Sequence, residues 1–168
     1  VLEAEYKAGE NDVFFLPYLM GERSPLNDTE IRGMFYGLSL STDKNEMSLA
    51  VLEGVAFALK DNIEIIKKLG VDIHSSSVCG GGTKNKLWLK IIANILNIKL
   101  KIPKNQDGAA LGAAMLAAKG VLTESEYSVL EDKVYAIAET VIPEADLAEK
   151  YAKRYEKWKK LYPAVKGI

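Results

Sequence analysis

The sequence predicts an α/β layer architecture, and three observations carry that prediction. Apolar residues recur at helical spacing in several segments, short runs of β-formers stand between them, and the connections are only a few residues long. Strand, helix, strand, helix, strand and helix therefore follow one another along 168 residues, 48% of them hydrophobic and 27% charged. That is an ordinary globular composition, and a chain of this size buries roughly 70% of its unfolded surface, enough for a real core. The length fits one domain or most of one.

Taken in order, VFFLPYLM at 13–20 is apolar but interrupted by Pro17, which predicts a buried irregular segment rather than a helix or a central strand. GERSPLND at 21–28 is loop chemistry. GMFYGLSLS, bracketed by Gly33 and Gly37, predicts a short strand near 33–40 that closes tightly on another backbone. Asp43 reads as an N-cap, with Glu46 three residues later and Gly70 as the stop of a largely buried helix over 43–69. Met47, Val51, Val55, Leu59, Ile63 and Ile66 are read as its apolar face, widened by Leu52, Phe57 and Ile65, with charge gathered at the late end. SSSVC at 75–79 reads as a buried strand. Leu87, Ile91 and Ile95, flanked by Trp88, Ile92 and Leu96, predict a helix over 84–97. Ile98, Leu100 and Ile102 alternate with Lys99 and Lys101 in a strand with one wet face, stopped by Pro103. Asp107 is placed as the cap of a small-residue helix, GAALGAAMLAAK, that packs closely on a neighbour and ends at Gly120. Thr123 and Glu126 offer a further capping box. Leu147, Tyr151, Tyr155, Trp158 and Tyr162 line one side of a C-terminal helix between Pro143 and Pro163.

Composition excludes several functions. Twenty-two Lys and Arg against 23 Asp and Glu leave a formal charge of −1, with no basic footprint for nucleic acid or an anionic membrane. Residues 145–168 hold seven Lys or Arg against three Asp or Glu, which reads as a solvated helix face. Cys79 stands alone, so no internal disulfide exists and no metal site draws on two thiolates. The acidic opening VLEAEYKAGEND is unlike a secretory signal, and no apolar run approaches the ~20 residues of a membrane span. A soluble, cytoplasmic protein is expected. The chain opens on Val1 like the middle of a helix or loop and reads as a fragment.

VCGGGTKN at 78–85 is the strongest chemical candidate. Gly80, Gly81 and Gly82 let a backbone approach a ligand, and the next helix N-terminus presents unpaired N–H groups at the carboxyl end of a strand. Spacing alone matches neither the dinucleotide fingerprint nor the Walker loop, so a ligand loop and a merely tight turn stand equal at this point. Glu22, Arg23, Asp28 and Glu30 fit an acid/base cluster or a loop salt bridge. His74 and Cys79 have no ligand-spaced partners and read as core or surface residues.

FLPYLMGERSPLND at 15–28, RGMFYGLSL at 32–40, LAVLEGVAFALKDNIEIIKKLG at 49–70, CGGGTKNKLW at 79–88 and GAALGAAMLAA at 108–118 together resemble the C-terminal lobe of the FGGY carbohydrate kinases. Gly33, Gly37, Leu38, Glu46, Met47, Ala50, Val51, Leu52 and Glu53 follow the family's second signature. The resemblance implies an actin-like, hexokinase-like (ribonuclease H-like) ATPase lobe, a mixed sheet flanked by helices, with 1–168 a partial C-terminal, ATP-binding lobe. It implies ATP and Mg²⁺, with Gly80, Gly81 and Gly82 against the adenosine and Asn85 reaching the adenine. Thr83 stands where Ala is common, and Lys84 where Arg or Lys is usual. Gly108, Ala109, Gly112 and Ala113 are expected at the connection between lobes, packed for hinge movement.

The implied reaction is transfer of the ATP γ-phosphoryl group to a sugar hydroxyl, D-xylulose first and gluconate second. A non-catalytic actin-like nucleotide-binding module is the rival from another class. No catalytic residue and no metal ligand is assigned to this chain: the family's general-base Asp is expected before Val1, and Asp12 and Asp28 lie outside its context. The chain is therefore expected to lack transferase activity alone. It is also expected to associate with itself, as a homodimer or more, through surfaces left open at the sheet edge.

Overall fold

A computed structural model describes residues 7–167; the opening residues read as helix or loop lie outside the described residues up to position 6. Phe14–Leu16 (β1) pairs antiparallel with Met34–Tyr36 (β2). The apolar run before Pro17 is thus a short buried strand rather than irregular, because Pro17 falls just beyond the last paired residue. The close approach expected around Gly33 and Gly37 is present: a Cβ on Gly37 would lie 2.4 Å from the Asp12 carbonyl oxygen.

Lys44–Lys68 forms α1, closed by the expected capping box of Asp43 and Glu46 and by Gly70 at φ +86°. Its exposed late end is also as expected. The buried face differs. It runs through Glu46, Leu49, Ala50, Glu53, Gly54, Ala56 and Phe57, while Met47, Val51, Val55 and Ile63 are half-buried and Leu59, Ile65 and Ile66 exposed. The physical reason is close packing on β1: Ala50 and Gly54 let the helix touch the strand, and Glu53 meets an arginine there.

Ser75–Ser77 (β3) pairs parallel with Lys99–Pro103 (β4), and β4 pairs antiparallel with Ile137–Val141 (β5), so the sheet is mixed in the order β3-β4-β5. β3 is an edge strand with Ser76 and Ser77 exposed, not the buried strand expected. Lys86–Leu96 (α2) buries Leu89 and Ile91 through Leu96 against α1. β4 alternates as predicted, with Leu100 and Ile102 buried.

Gly108–Lys119 (α3) contradicts its expectation of close packing. Met115 is its one buried residue among those described, a Cβ on Gly112 would meet nothing within 4 Å, and Asp107 makes no side-chain cap. Its principal neighbour is Glu124–Val134 (α4), which itself buries no residue. The Thr123 and Glu126 capping box is formed. The body of α4 and the whole of β5 were not legible in the sequence.

Ala145–Trp158 (α5) and Leu161–Val165 (α6) close the chain. Tyr151, Tyr155 and Trp158 are buried around Phe57, and the Trp158 indole donates to the Phe15 carbonyl at 2.8 Å. Lys150 and Lys153 of α5 and Lys159 just after it pair on the surface with Glu10, Glu149 and Glu156 respectively, which fits a solvated face. Arg154 is the exception, buried with Nη2 2.7 Å from the Glu53 carboxylate and 3.2 Å from the Val13 carbonyl.

Candidate functional site

β3 and β4 are parallel, so their carboxyl ends open on one side, and each leads into a helix. Val78 N–H extends the ladder to the Lys101 carbonyl at 3.0 Å before the chain turns. Gly80 sits at φ +97°, a conformation that disfavours any side chain, and Gly81–Lys84 then forms a 3-10 turn. Thr83 holds that turn, its N–H and hydroxyl both donating to the Gly80 carbonyl at 3.1 and 2.7 Å. Asn85 caps α2 by accepting the Trp88 N–H at 3.1 Å. This occupies its Oδ1 and leaves its amide nitrogen without a hydrogen bond among the described residues.

Gly80, Gly81, Gly82 and Asn85 are all exposed on this one turn. Added Cβ atoms on Gly80 and Gly81 would meet nothing within 4 Å, so no protein group fills the face that a ligand would take. A cleft of about 290 Å³ lies alongside, bounded by Ser77, Cys79, Pro103, Asn105, Gly108, Gly112 and Tyr135. Cys79 lines it directly; the three glycines do not. Gln106 couples turn and cleft: its carbonyl oxygen accepts from the Thr83 hydroxyl at 3.2 Å and its amide donates to the Pro103 carbonyl at 2.5 Å.

Asn105, Gln106 and Tyr135 were not anticipated. The first two carried a signal, a polar pair between a strand and a glycine-led helix, whereas Tyr135 arrives from the far end of α4 and carried none.

The remaining candidates are scaffold. Glu22 accepts from the Ser24 and Leu26 N–H groups at 3.0 and 2.8 Å, and Asp28 accepts from Glu30 and Ile31 N–H and from the Tyr162 hydroxyl at 2.9 Å. Those bonds, the Glu30 amide first, hold the Asp28 carboxyl below the usual range. Glu30 accepts from Thr29, and Arg23 is exposed without an ion pair among the described residues, so the cluster is neither acid/base pair nor salt bridge. Exposed His74 pairs with Asp72 at 3.0 Å. Asp12 is exposed as well.

A mixed sheet with helix N-termini gathered at the carboxyl ends of its parallel strands defines an α/β ligand-binding lobe. Residues 1–121 match the FGGY family of carbohydrate kinases, C-terminal domain, and the chain belongs to that family. It is 35% identical over 99% of its length to a xylulose kinase of Staphylococcus epidermidis, covering 34% of that protein. A xylulose kinase from Lactobacillus acidophilus superposes at TM-score 0.84 with 30% identity, over 95% of this chain and 32% of the other. A gluconate kinase from the same organism superposes at 0.82 with 30% identity, over 94% and 32%. The chain therefore spans about a third of the length of the relatives it matches. Among the described residues no helix is long and apolar enough to cross a membrane.

Proposed function

We propose that this chain is the ATP-binding part of a carbohydrate kinase that phosphorylates D-xylulose to D-xylulose 5-phosphate. The observation that carries the reading is the unfilled face of the Gly80–Gly82 turn beside the cleft at the ends of β3 and β4, on a chain whose relatives include xylulose kinases. In this reading the adenine lies flat against Gly81 and Gly82, with the Asn85 amide nitrogen as the donor its cap leaves free. Cys79, Gln106 and the α3 N-terminus form the other wall. The exposed small-residue face of α3, from Gly108 to Ala113, serves the joint with the sugar-binding part of the enzyme.

The described residues bring together no group of three His, Cys, Asp or Glu side chains able to hold a metal. Mg²⁺ bound to the nucleotide phosphates would supply charge neutralisation for the γ-phosphoryl transfer. The general base belongs to the rest of the enzyme, whose place is the cytoplasm.

Gly81→Val tests the nucleotide assignment. In the complete enzyme it is expected to raise KM for ATP roughly tenfold or more while leaving KM for sugar nearly unchanged, since a side chain there displaces the base. Equal effects on both constants would contradict the assignment. Gluconate is the second reading, favoured by the gluconate kinase superposition. Turnover of the complete enzyme on D-xylulose and on gluconate separates the two, and a strong preference for gluconate overturns the first.

A further inference from the structure

From Cys79 to Asn85 every residue is exposed except Thr83, which is half-buried. The chain leaves the sheet after the Val78 N–H bond to Lys101 and rejoins regular structure at Asn85, the cap of α2. Between those anchors the bonds are internal, from Thr83 back to the Gly80 carbonyl and from the Asn85 N–H to the Gly82 carbonyl. Among the described residues a single hydrogen bond ties residues 80–84 to the chain beyond this turn and its cap, the one from the Thr83 hydroxyl to the Gln106 side-chain oxygen at 3.2 Å.

Gln106 is half-buried as well, and its other bonds go to firmly placed groups. Its amide nitrogen donates to the carbonyl of Pro103, the last residue of β4, at 2.5 Å. Its backbone carbonyl accepts from the N–H of Gly108, the first residue of α3, at 3.0 Å. The donation to Pro103 sets the orientation of the side-chain amide, so the atom that faces Thr83 is the oxygen, an acceptor. The Thr83 hydroxyl has one hydrogen, which is shared between Gln106 and the Gly80 carbonyl at 2.7 Å. Pro103 and Gly108 both line the cleft, so one glutamine fastens the glycine turn to the strand end and the helix start that bound it.

We propose that Gln106 is a positioning residue for the nucleotide: through the Thr83 hydroxyl it holds the glycine turn at a set distance from the start of α3, so that the cleft has its binding width before ATP arrives. The proposal rests on the reading of this turn as the nucleotide site. A turn with no other fastening takes many positions when free, and ordering it on binding costs affinity; fixing it beforehand removes that cost without touching the reacting atoms. The effect falls on ATP and spares the sugar.

Steady-state kinetics of the complete enzyme test this. Gln106→Leu removes both side-chain bonds and is expected to raise KM for ATP about three- to tenfold, the scale of uncharged hydrogen bonds, with kcat and KM for sugar nearly unchanged. Thr83→Val, of similar shape without the hydroxyl, should do likewise, and Thr83→Ser should keep the unsubstituted value. In a Thr83→Val background Gln106→Leu should add little, because the bond it breaks is already gone. A residue that only stabilises the fold would lower the melting temperature and leave the ratio of the two KM values where it was. That outcome, a parallel rise in both KM values, or multiplicative effects of the two substitutions overturns the proposal. So does an unchanged KM for ATP in Gln106→Leu: where Gly81→Val still raises that constant, the nucleotide reading stands without the latch, and where neither substitution moves it, both fall. If Gln106→Leu fails to fold, the contrast between Thr83→Val and Thr83→Ser decides.

Discussion

Arg154 and Glu53 show at the scale of single residues how an ion pair is tolerated inside this protein. Burial pushes the Glu53 carboxyl up, opposed by the guanidinium 2.7 Å away and by the Gly9 N–H at 3.4 Å. Arg154 also lies over the Phe14 ring, 4.4 Å from its centroid, so one side chain joins α5, α1 and β1. Removing one member of such a pair leaves an uncompensated charge, and Arg154→Met is expected to cost about 3–5 kcal/mol in urea unfolding. Glu53→Gln with Arg154→Met should recover part of that loss, and strict additivity of the two changes would contradict the pairing. Asp28 acts by the opposite sign. Its folded carboxyl titrates below the unfolded value, so its contribution is complete above the unfolded pKa and is lost as pH falls through the folded one. Asp28→Ala should lower the melting temperature at about pH 7, and that effect should shrink as pH falls through the folded pKa of the carboxyl.

Elements were legible where their signals were local. The caps of α1 and α4 rest on a side chain meeting backbone three residues away, and the alternation of β4 is written in five consecutive residues. The buried face of α1 was misread because Ala50 and Gly54 look neutral and Glu53 solvent-facing in a hydrophobicity pattern, and their burial depends on β1 and α5. The body of α4 and all of β5 were missed because neither has an apolar face committed to a core: all of β5 but Val141 is exposed. The glycine turn after β3 was legible as glycine and position, yet Tyr135 was not, since it reaches the cleft only through the fold. Gly54 shows how strict the α1 contact is. A Cβ there would sit 2.3 Å from the Phe15 carbonyl oxygen, a backbone atom, and Gly54→Ala is expected to destabilise by roughly 3 kcal/mol. A chemical denaturation midpoint unchanged by Gly54→Ala would show that β1 yields more readily than its buried position suggests.

For the molecule as a whole, Leu19, Met20, Tyr36, Leu38 and Leu40 are exposed around the β1-β2 hairpin, and Met20 and Leu40 are essentially bare at 93% and 110%. Apolar side chains grouped this way favour association. Light scattering at micromolar concentration is expected to show dimers or larger species, and Met20→Glu with Leu40→Glu to return the monomer; a monomeric unsubstituted chain would remove the expectation. The indole of Trp158 bonded to Phe15 has a consequence for biosynthesis. The two residues are 143 positions apart, so a ribosome completes nearly this whole segment before β1 can acquire its final cover. Until then Phe14, Leu16 and Phe57 remain available to chaperones, and arrested nascent chains ending before Tyr151 should be digested by protease where chains extending well beyond Trp158 resist.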